Sequence, residues 1–512
     1  MFEMTIHMLK QQLWKQFKIE SFRPGQAEII SSVLAGDDVL GILPTGSGKS
    51  LCYQLPATLP GGVTIVVSPL ISLMEDQVKQ LKAAGIKNVV GLNSFMNPLE
   101  KRRVLQDLHQ YQLIYVSPEL LQQNEIIHRL QQMQVKLFVV DEAHCISQWG
   151  HEFRPDYLRL GEVLRSIGDP VVMALSATAT PEVQNDIVRS LGRPEMTKHI
   201  YPMDRDNITF TVKEVTGERE KREIIKSLLK RYQIPVLIYF SSKRKTEEVA
   251  AYLSDHVPSK RIAFYHGDMD QMDRIAIQQQ FMNSQIDVIC CTSAFGMGIN
   301  KHNIRLIVHY HFPLQIESFI QEIGRAGRDG KSSVSLLLYS PADKAIPNSI
   351  IENELPGEEK LRTVAGKLQQ LPELPPTEEL LHMLELNEIQ WRFLHYQLEW
   401  HGLMKNNQVY NQDHWEQALQ KIGSLISRRS ALKNRKLQEM IHWIQEENCL
   451  RKKLYKGFQE TFKPPIYACC SNCGFSFKDW EPEQIRKDRP ALSWEVKLKN
   501  IFFAGESHAN TE

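Results

Sequence analysis

A chain of 512 residues is too long for one hydrophobic core and calls for two or three domains. Its 42% hydrophobic and 24% charged residues are the balance of a globular protein, and no run approaches the ~18 apolar residues of a membrane helix. A net charge of +1 excludes a uniformly basic coat, so any surface for a polyanion must be a local track.

The opening residues, MFEMTIHMLKQQLWKQF, are amphipathic, with no apolar core segment or small-residue cleavage site, and do not read as a signal peptide. Eight cysteines, scattered except for one cluster near the end, fit a reducing compartment and one metal site. A cytoplasmic protein is expected.

Up to about residue 345, short apolar β-branched runs alternate with amphipathic stretches of helical length. The first set of runs is 38–42, 64–68, 113–116, 137–140 and 171–176. Their near-continuous apolar character suits strands buried on both faces, and the alternation predicts a parallel sheet covered by helices, an α/β fold.

Residues 43–50, LPTGSGKS, follow the first run and precede a helix-compatible stretch. Thr45, Gly46 and Gly48 belong to a loop whose backbone can curl and point N–H groups at phosphate oxygens. Lys49 then reaches the β- and γ-phosphates, and the Ser50 hydroxyl ligates Mg²⁺. Leu43 stands where the strict motif has glycine. LFVVDEAH, at 137–144, ends an apolar strand in two carboxylates. Asp141 is placed to hold Mg²⁺ through its water shell and Glu142 to polarise an attacking water. Ser176-Ala177-Thr178 closes the next strand and suggests a hydroxyl relay that senses the nucleotide.

The polar stretch 197–217 reads as a linker, after which the pattern restarts with runs at 236–240, 262–265, 288–291, 304–309 and 334–338. Two such units in tandem imply a cleft between them that a ligand can close. Beyond this point Pro356, Pro372, Pro375 and Pro376 punctuate a region almost without strand signal. Helical patterns at 377–386 and 388–403 followed by Asn-Asn-Gln-Val-Tyr fit a winged helix, and plain three-helix packing fits the same pattern. A long helical stretch, 415–448, leads to Cys449, Cys469, Cys470 and Cys473.

These motifs, in this order, resemble those of superfamily 2 helicases, specifically RecQ-family DNA helicases, over about residues 10–345. LWKQFKIESFRPGQAEII (13–30) resembles the family's adenine-recognition motif, which implies that Gln26 bonds the adenine edge and Arg23 lies against the base. Residues 66–78 and 115–120 resemble loops that hold the DNA backbone. HCISQWGHEFRPDY (144–157) resembles the aromatic-rich loop that couples DNA contact to hydrolysis, with Gln148, Trp149, Phe153 and Arg154 at the matched positions. Aromatics interleaved with arginine can stack single-stranded bases, worth ~1–3 kcal/mol per base. Segments 239–250 and 290–313 resemble DNA-side motifs of the second domain, with Asn300 where the family usually has Asp. QEIGRAGRDG (321–330) resembles the arginine-finger motif. Arg325 and Arg328, three apart, would share one face of a helix and reach across the cleft to the γ-phosphate.

The cysteine cluster resembles the family's zinc module, whose pattern puts the fourth ligand at Ser476. Serine supplies no thiolate, and Cys469 can substitute only if the adjacent pair Cys469 and Cys470 both turn toward the metal. The winged-helix-like segment precedes the cysteines, whereas the family normally places it after them.

The expected architecture is two tandem RecA-like parallel-sheet domains, 1–200 and 201–345, then a helical or winged-helix-like region, 346–415, a helical module with a candidate zinc site, 416–485, and a tail, 486–512. The resemblance implies an ATP-dependent 3′-to-5′ DNA helicase using ATP and Mg²⁺, with Zn²⁺ as a further candidate. Its expected partners are single-stranded and partially duplex DNA, with a single-stranded-DNA-binding protein as a candidate, in nucleoid-associated recombination or repair. Open alternatives are a DNA-stimulated ATPase that remodels or anneals DNA, or displaces proteins, without processive unwinding, and RNA as the substrate.

Overall fold

The computed structural model describes residues 5–94, 96–147, 154–296, 301–371, 373–405, 407–410, 414–459 and 462–484. The apolar runs of the first half become strands β1 (Val39–Ile42), β2 (Val63–Val67), β3 (Val89–Leu92), β4 (Leu113–Val116), β5 (Val135–Val140), β6 (Val171–Ser176) and β7 (Thr197–Ile200). All pair in parallel, in the order β3-β4-β2-β5-β6-β1-β7. Alternate residues of these strands feed two separate cores. Ile42, Ile65, Phe138 and Ala174 face one layer of helices, and Val39, Val66, Val139 and Met173 face the other. Both faces are therefore covered, which is why the runs carry so few polar residues.

The second half builds β8 (Ile208–Glu214), β9 (Val236–Tyr239), β10 (Ile262–Tyr265), β11 (Val288–Cys291), β12 (Leu306–His309) and β13 (Ser333–Tyr339). They form a second parallel sheet in the order β10-β11-β9-β12-β13-β8. These are the two RecA-like layers expected.

The stretch 197–217 is not one linker. β7 joins the edge of the first sheet beside β1, β8 joins the edge of the second beside β13, and only 201–207 connects them. β7 escapes a hydrophobicity reading because Thr197 and Lys198 are exposed at a sheet edge. The other edge strand, β3, is mainly buried and escapes such a reading for a different reason: it is only four residues long and is interrupted by Gly91.

Beyond the second sheet, the helices Glu358–Leu368, Thr377–Leu384 and Glu388–Trp400 enclose a separate core containing Leu361, Leu380, Trp391, Leu394 and Ile422. A capping box between Asn387 and Gln390 starts the last of these helices. A short antiparallel hairpin, β14 (Met404–Lys405) and β15 (Gln408–Val409), follows. The helix Trp415–Ile444, 30 residues and roughly 45 Å long, leaves this module and reaches the second sheet. There Trp443 packs on Phe319 with ring centroids 4.6 Å apart. No described helix is long and apolar enough to cross a membrane.

Candidate nucleotide site between the two sheets

β1 ends directly in the phosphate loop, and β5 and β6 end beside it, so these loops meet at the C-terminal end of the parallel strands of the first sheet. Gly46 and Gly48 have φ of +85° and +79°, a region that only glycine enters without strain. Ser50 precedes the helix Leu51–Ala57 without spending its hydroxyl on a cap. Thr45 Oγ1 and Ser47 Oγ are buried without a hydrogen-bond partner among the described residues, as suits a loop that receives phosphate oxygens.

Arg23 and Gln26 brace this loop. Arg23 Nη1 donates to Gly46 O at 2.5 Å, and Gln26 Nε2 donates to Ser47 O at 2.9 Å and Gly48 O at 3.0 Å. Gln26 Oε1 accepts from Arg23 N at 2.9 Å. The amide expected on an adenine edge is thus engaged with the loop backbone here.

Asp141, at the end of β5, is buried, and its backbone N–H donates to Val67 O at 2.9 Å. Burial, then the neighbouring Glu142 carboxylate, pushes the Asp141 carboxyl up to about 7. Glu142 sits at φ 47° and ψ 49°, a left-handed conformation that costs a non-glycine residue about 1–3 kcal/mol and is a frequent mark of functional sites. Its Oε2 lies 3.5 Å from His144 Nδ1, which is 2.9 Å from Ser176 Oγ. Ser176 Oγ in turn donates to Thr178 O at 3.3 Å. His144 Nδ1 thus bonds the Ser-Ala-Thr segment and stands beside the Glu142 carboxylate without a hydrogen bond to it.

The second domain supplies the opposite wall. Gln321, Arg325 and Arg328 line the same cavity of about 430 Å³ as Arg23, Lys49, Ser50, Asp141 and Glu142. The two arginines do not share a helix face. The helix Ile316–Ile323 ends before them, and Gly327, at φ +53°, turns the chain between them. Arg325 donates through Nη1 to Gly296 O, whereas Arg328 lays its stem on Gly46. Burial, followed by the charges of Arg325 and Arg205, pulls the Arg328 guanidinium down to about 9.

Phe17, Ile19, Gln54, Gln77 and His302 also line the cavity and were not singled out by sequence. Phe17 and Ile19 fall inside the segment 13–30, where an aromatic ahead of the base-recognition residues was an available signal. His302 falls inside the segment 290–313, read from sequence as a DNA-side motif, yet it lines the nucleotide cavity.

Gln148, Trp149, Phe153 and Asn300 lie outside the described residues. Arg154 is described: its backbone N–H donates to Cys145 O at 3.0 Å, and its Nη1 is 3.8 Å from Glu119 Oε1. It thereby joins the end of the aromatic-rich segment to the segment 115–120.

The four cysteine sulfurs lie within 4.8 Å of one another, with Cys449 and Cys469 3.5 Å apart. Thiolates bound at ~2.3 Å around a tetrahedral Zn²⁺ stand roughly 3.8 Å apart, so the quartet fits the ion. Ser476 supplies no sulfur to this quartet, and its Oγ accepts a local bond from Lys478 N at 3.2 Å.

The chain matches the family model for DEAD/DEAH box helicases over residues 23–187 and that for the helicase conserved C-terminal domain over 220–330. It is 40% identical over 499 residues to the probable ATP-dependent DNA helicase RecS of Bacillus subtilis (strain 168), covering 96% of this chain and 98% of that one. It is 40% identical over 373 residues to the ATP-dependent DNA helicase RecQ of Haemophilus influenzae, covering 72% of this chain and 59% of that longer relative. Among solved structures, Mycobacterium smegmatis helicase Lhr bound to ssDNA and AMP-PNP has the same fold, with a TM-score of 0.56 at 18% identity over 76% of this chain and 56% of that one. Phosphate loop, paired carboxylates, facing arginines and near full-length similarity converge: the chain belongs to the RecQ family of ATP-dependent DNA helicases.

Proposed function

We propose that this helicase moves 3′-to-5′ along single-stranded DNA by opening and shutting the cleft between its sheets, and separates strands in recombination or repair. The observation that carries the reading is the seating of Arg328, from the second domain, on Gly46 of the first domain's phosphate loop. In this reading Lys49 and the loop backbone bind the β- and γ-phosphates of ATP, and Arg23 and Gln26 take the base. Glu142 orients the attacking water, with His144 beside it. Arg328 adds positive charge where negative charge develops in the transition state, with Arg325 fixing the turn from which it projects. Ser50 and Asp141 are the residues that would hold Mg²⁺, which would supply charge neutralisation at the phosphates. Trp149 and Phe153, with Gln148 and Arg154, stack and grip the strand, and their segment follows Glu142 closely in sequence, which couples DNA contact to hydrolysis.

Cys449, Cys469, Cys470 and Cys473 would hold one Zn²⁺, which ties together a module with little core of its own. The helices and hairpin of 346–415 form the winged-helix-like accessory.

Strand displacement on duplexes with a single 3′ or 5′ tail tests the reading. ATP-dependent unwinding of the 3′-tailed substrate alone is expected. Preference for the 5′ tail would overturn the polarity, and an ATPase active on both but displacing neither would favour remodelling without unwinding.

A further inference from the structure

The connection from the first sheet to the second runs Tyr201-Pro202-Met203-Asp204-Arg205-Asp206-Asn207. A linker between domains that must move needs only length, yet this one is bonded on several sides. Arg205 Nη1 donates to Thr45 O of the phosphate loop at 3.3 Å and to Gly324 O at 3.4 Å. Its Nη2 donates to Ala326 O at 3.4 Å and to Gly327 O at 2.5 Å. Gly324 to Gly327 is the turn on which Arg325 and Arg328 are mounted. One planar guanidinium thus holds the backbone of that turn and touches the phosphate loop of the other domain, as its fixed fork of five donors allows.

The turn has little slack. Asn207 Nδ2 donates to Gly327 O and Lys331 O, both at 2.8 Å, and Asn207 Oδ1 accepts from Arg205 at 3.3 Å. A β-carbon on Gly327 would fall 2.4 Å from Asn207 Nδ2, and one on Gly324 would fall 2.7 Å from the Thr45 side chain.

The linker is also gripped from behind. Asp204 pairs with Arg451, their side chains only 4% and 2% exposed. Arg451 donates further to Arg205 O at 3.1 Å and to Ile208 O. Gln459 Oε1 accepts from Met203 N at 3.0 Å and Asp204 N at 3.1 Å, and Phe210 N donates to Cys469 O at 3.2 Å. The cysteine module therefore fixes the strip from which Arg205 projects.

We infer that Arg205 is a positioning residue for ATP hydrolysis: on cleft closure it ties Thr45 to the turn 324–327 and so sets Arg325 and Arg328 against the phosphate side, with the Asp204–Arg451 pair as its anchor. Its bonds to Gly324, Ala326 and Gly327 stay within the second domain's turn. Its bond to Thr45 crosses the cleft and exists only while the cleft is shut. The inference rests on the assignment of Arg328 to the γ-phosphate.

Steady-state ATPase with saturating single-stranded DNA tests it on wild type, R205Q, R205K and R328A, with a melting curve for each. R205Q is expected to lower kcat by roughly tenfold or more with KM for ATP within about threefold of wild type. R205K, which keeps charge but not the fork, should recover part of the rate at an unchanged melting temperature. If R205Q does not fold, R205K carries the test with the same split at smaller size. A kcat for both variants within about twofold of wild type, with R328A inactive, overturns the inference alone. A fall in kcat matched by equal losses in KM and melting temperature, with no recovery in R205K, overturns it in favour of plain stability. Normal activity in R328A overturns the assignment on which it stands.

Discussion

Across the cleft the Arg328 stem stands over Gly46, so closely that a β-carbon added at Gly46 would stand 3.1 Å from Arg328 Cγ and 3.3 Å from Cδ. The two residues come from different sheets, and their contact records a shut cleft. Gly46 is therefore constrained twice, by its φ of +85° and by the arginine stem above it.

Gly46→Ala strains the loop and lifts Arg328. An ångström of displacement at a reacting group costs about a hundredfold, so kcat is expected to fall by roughly ten- to a hundredfold. Rates and equilibrium binding of a fluorescent ATP analogue, measured together, check that the loss lies in kcat.

Arg328→Ala removes the charge and the stem over Gly46 while changing no residue of the first domain's loop. The expected loss in kcat is about 10³–10⁵, the range for arginine fingers, with analogue affinity near wild type. Equal losses in affinity and rate would place Arg328 in ground-state binding instead.

Asp141 makes the Mg²⁺ requirement pH-dependent. Burial and Glu142 hold its carboxyl at about 7 in the metal-free protein, so the proton is bound below that pH and must leave before the cation binds. Lowering the pH from about 8 to about 6 should raise the Mg²⁺ concentration for half-maximal ATPase by roughly tenfold. A half-maximal concentration constant across this range would contradict the assignment of Asp141 to the metal.

Cys469 rather than Ser476 completes the sulfur quartet. Purified wild type is expected to hold one zinc per chain by elemental analysis. Cys469→Ser and Cys473→Ser should lose it and melt at lower temperature, and Ser476→Ala should keep it. Zinc retained in Cys469→Ser, or lost in Ser476→Ala, would reverse the assignment.

Much of the site was legible because phosphate chemistry dictates local backbone. LPTGSGKS and the Asp-Glu pair announce themselves by residue type, spacing and the strands ahead of them. Most buried strands were equally plain, since two covered faces leave no room for polar residues, but the buried edge strands β3 and β8 were not read from the sequence. Nor was β7, because an exposed edge strand follows no such rule. The separation of Arg325 from Arg328 was hidden by their spacing, which suits a helix until Gly327 breaks it. Long-range bonds leave no local trace at all: Arg205 meets Gly327 122 residues away, and Arg451 meets Asp204 247 residues away. The cysteines were legible as donors, but only geometry brought the adjacent pair to one point.

The most direct test of the account is steady-state ATPase with and without single-stranded DNA, for wild type, Lys49→Ala and Trp149→Ala. The account predicts strong stimulation of wild type by DNA, no hydrolysis in a folded Lys49→Ala, and a Trp149→Ala enzyme that hydrolyses ATP slowly whether or not DNA is present. A wild-type rate indifferent to DNA, or a Trp149→Ala variant stimulated as fully as wild type, would contradict it.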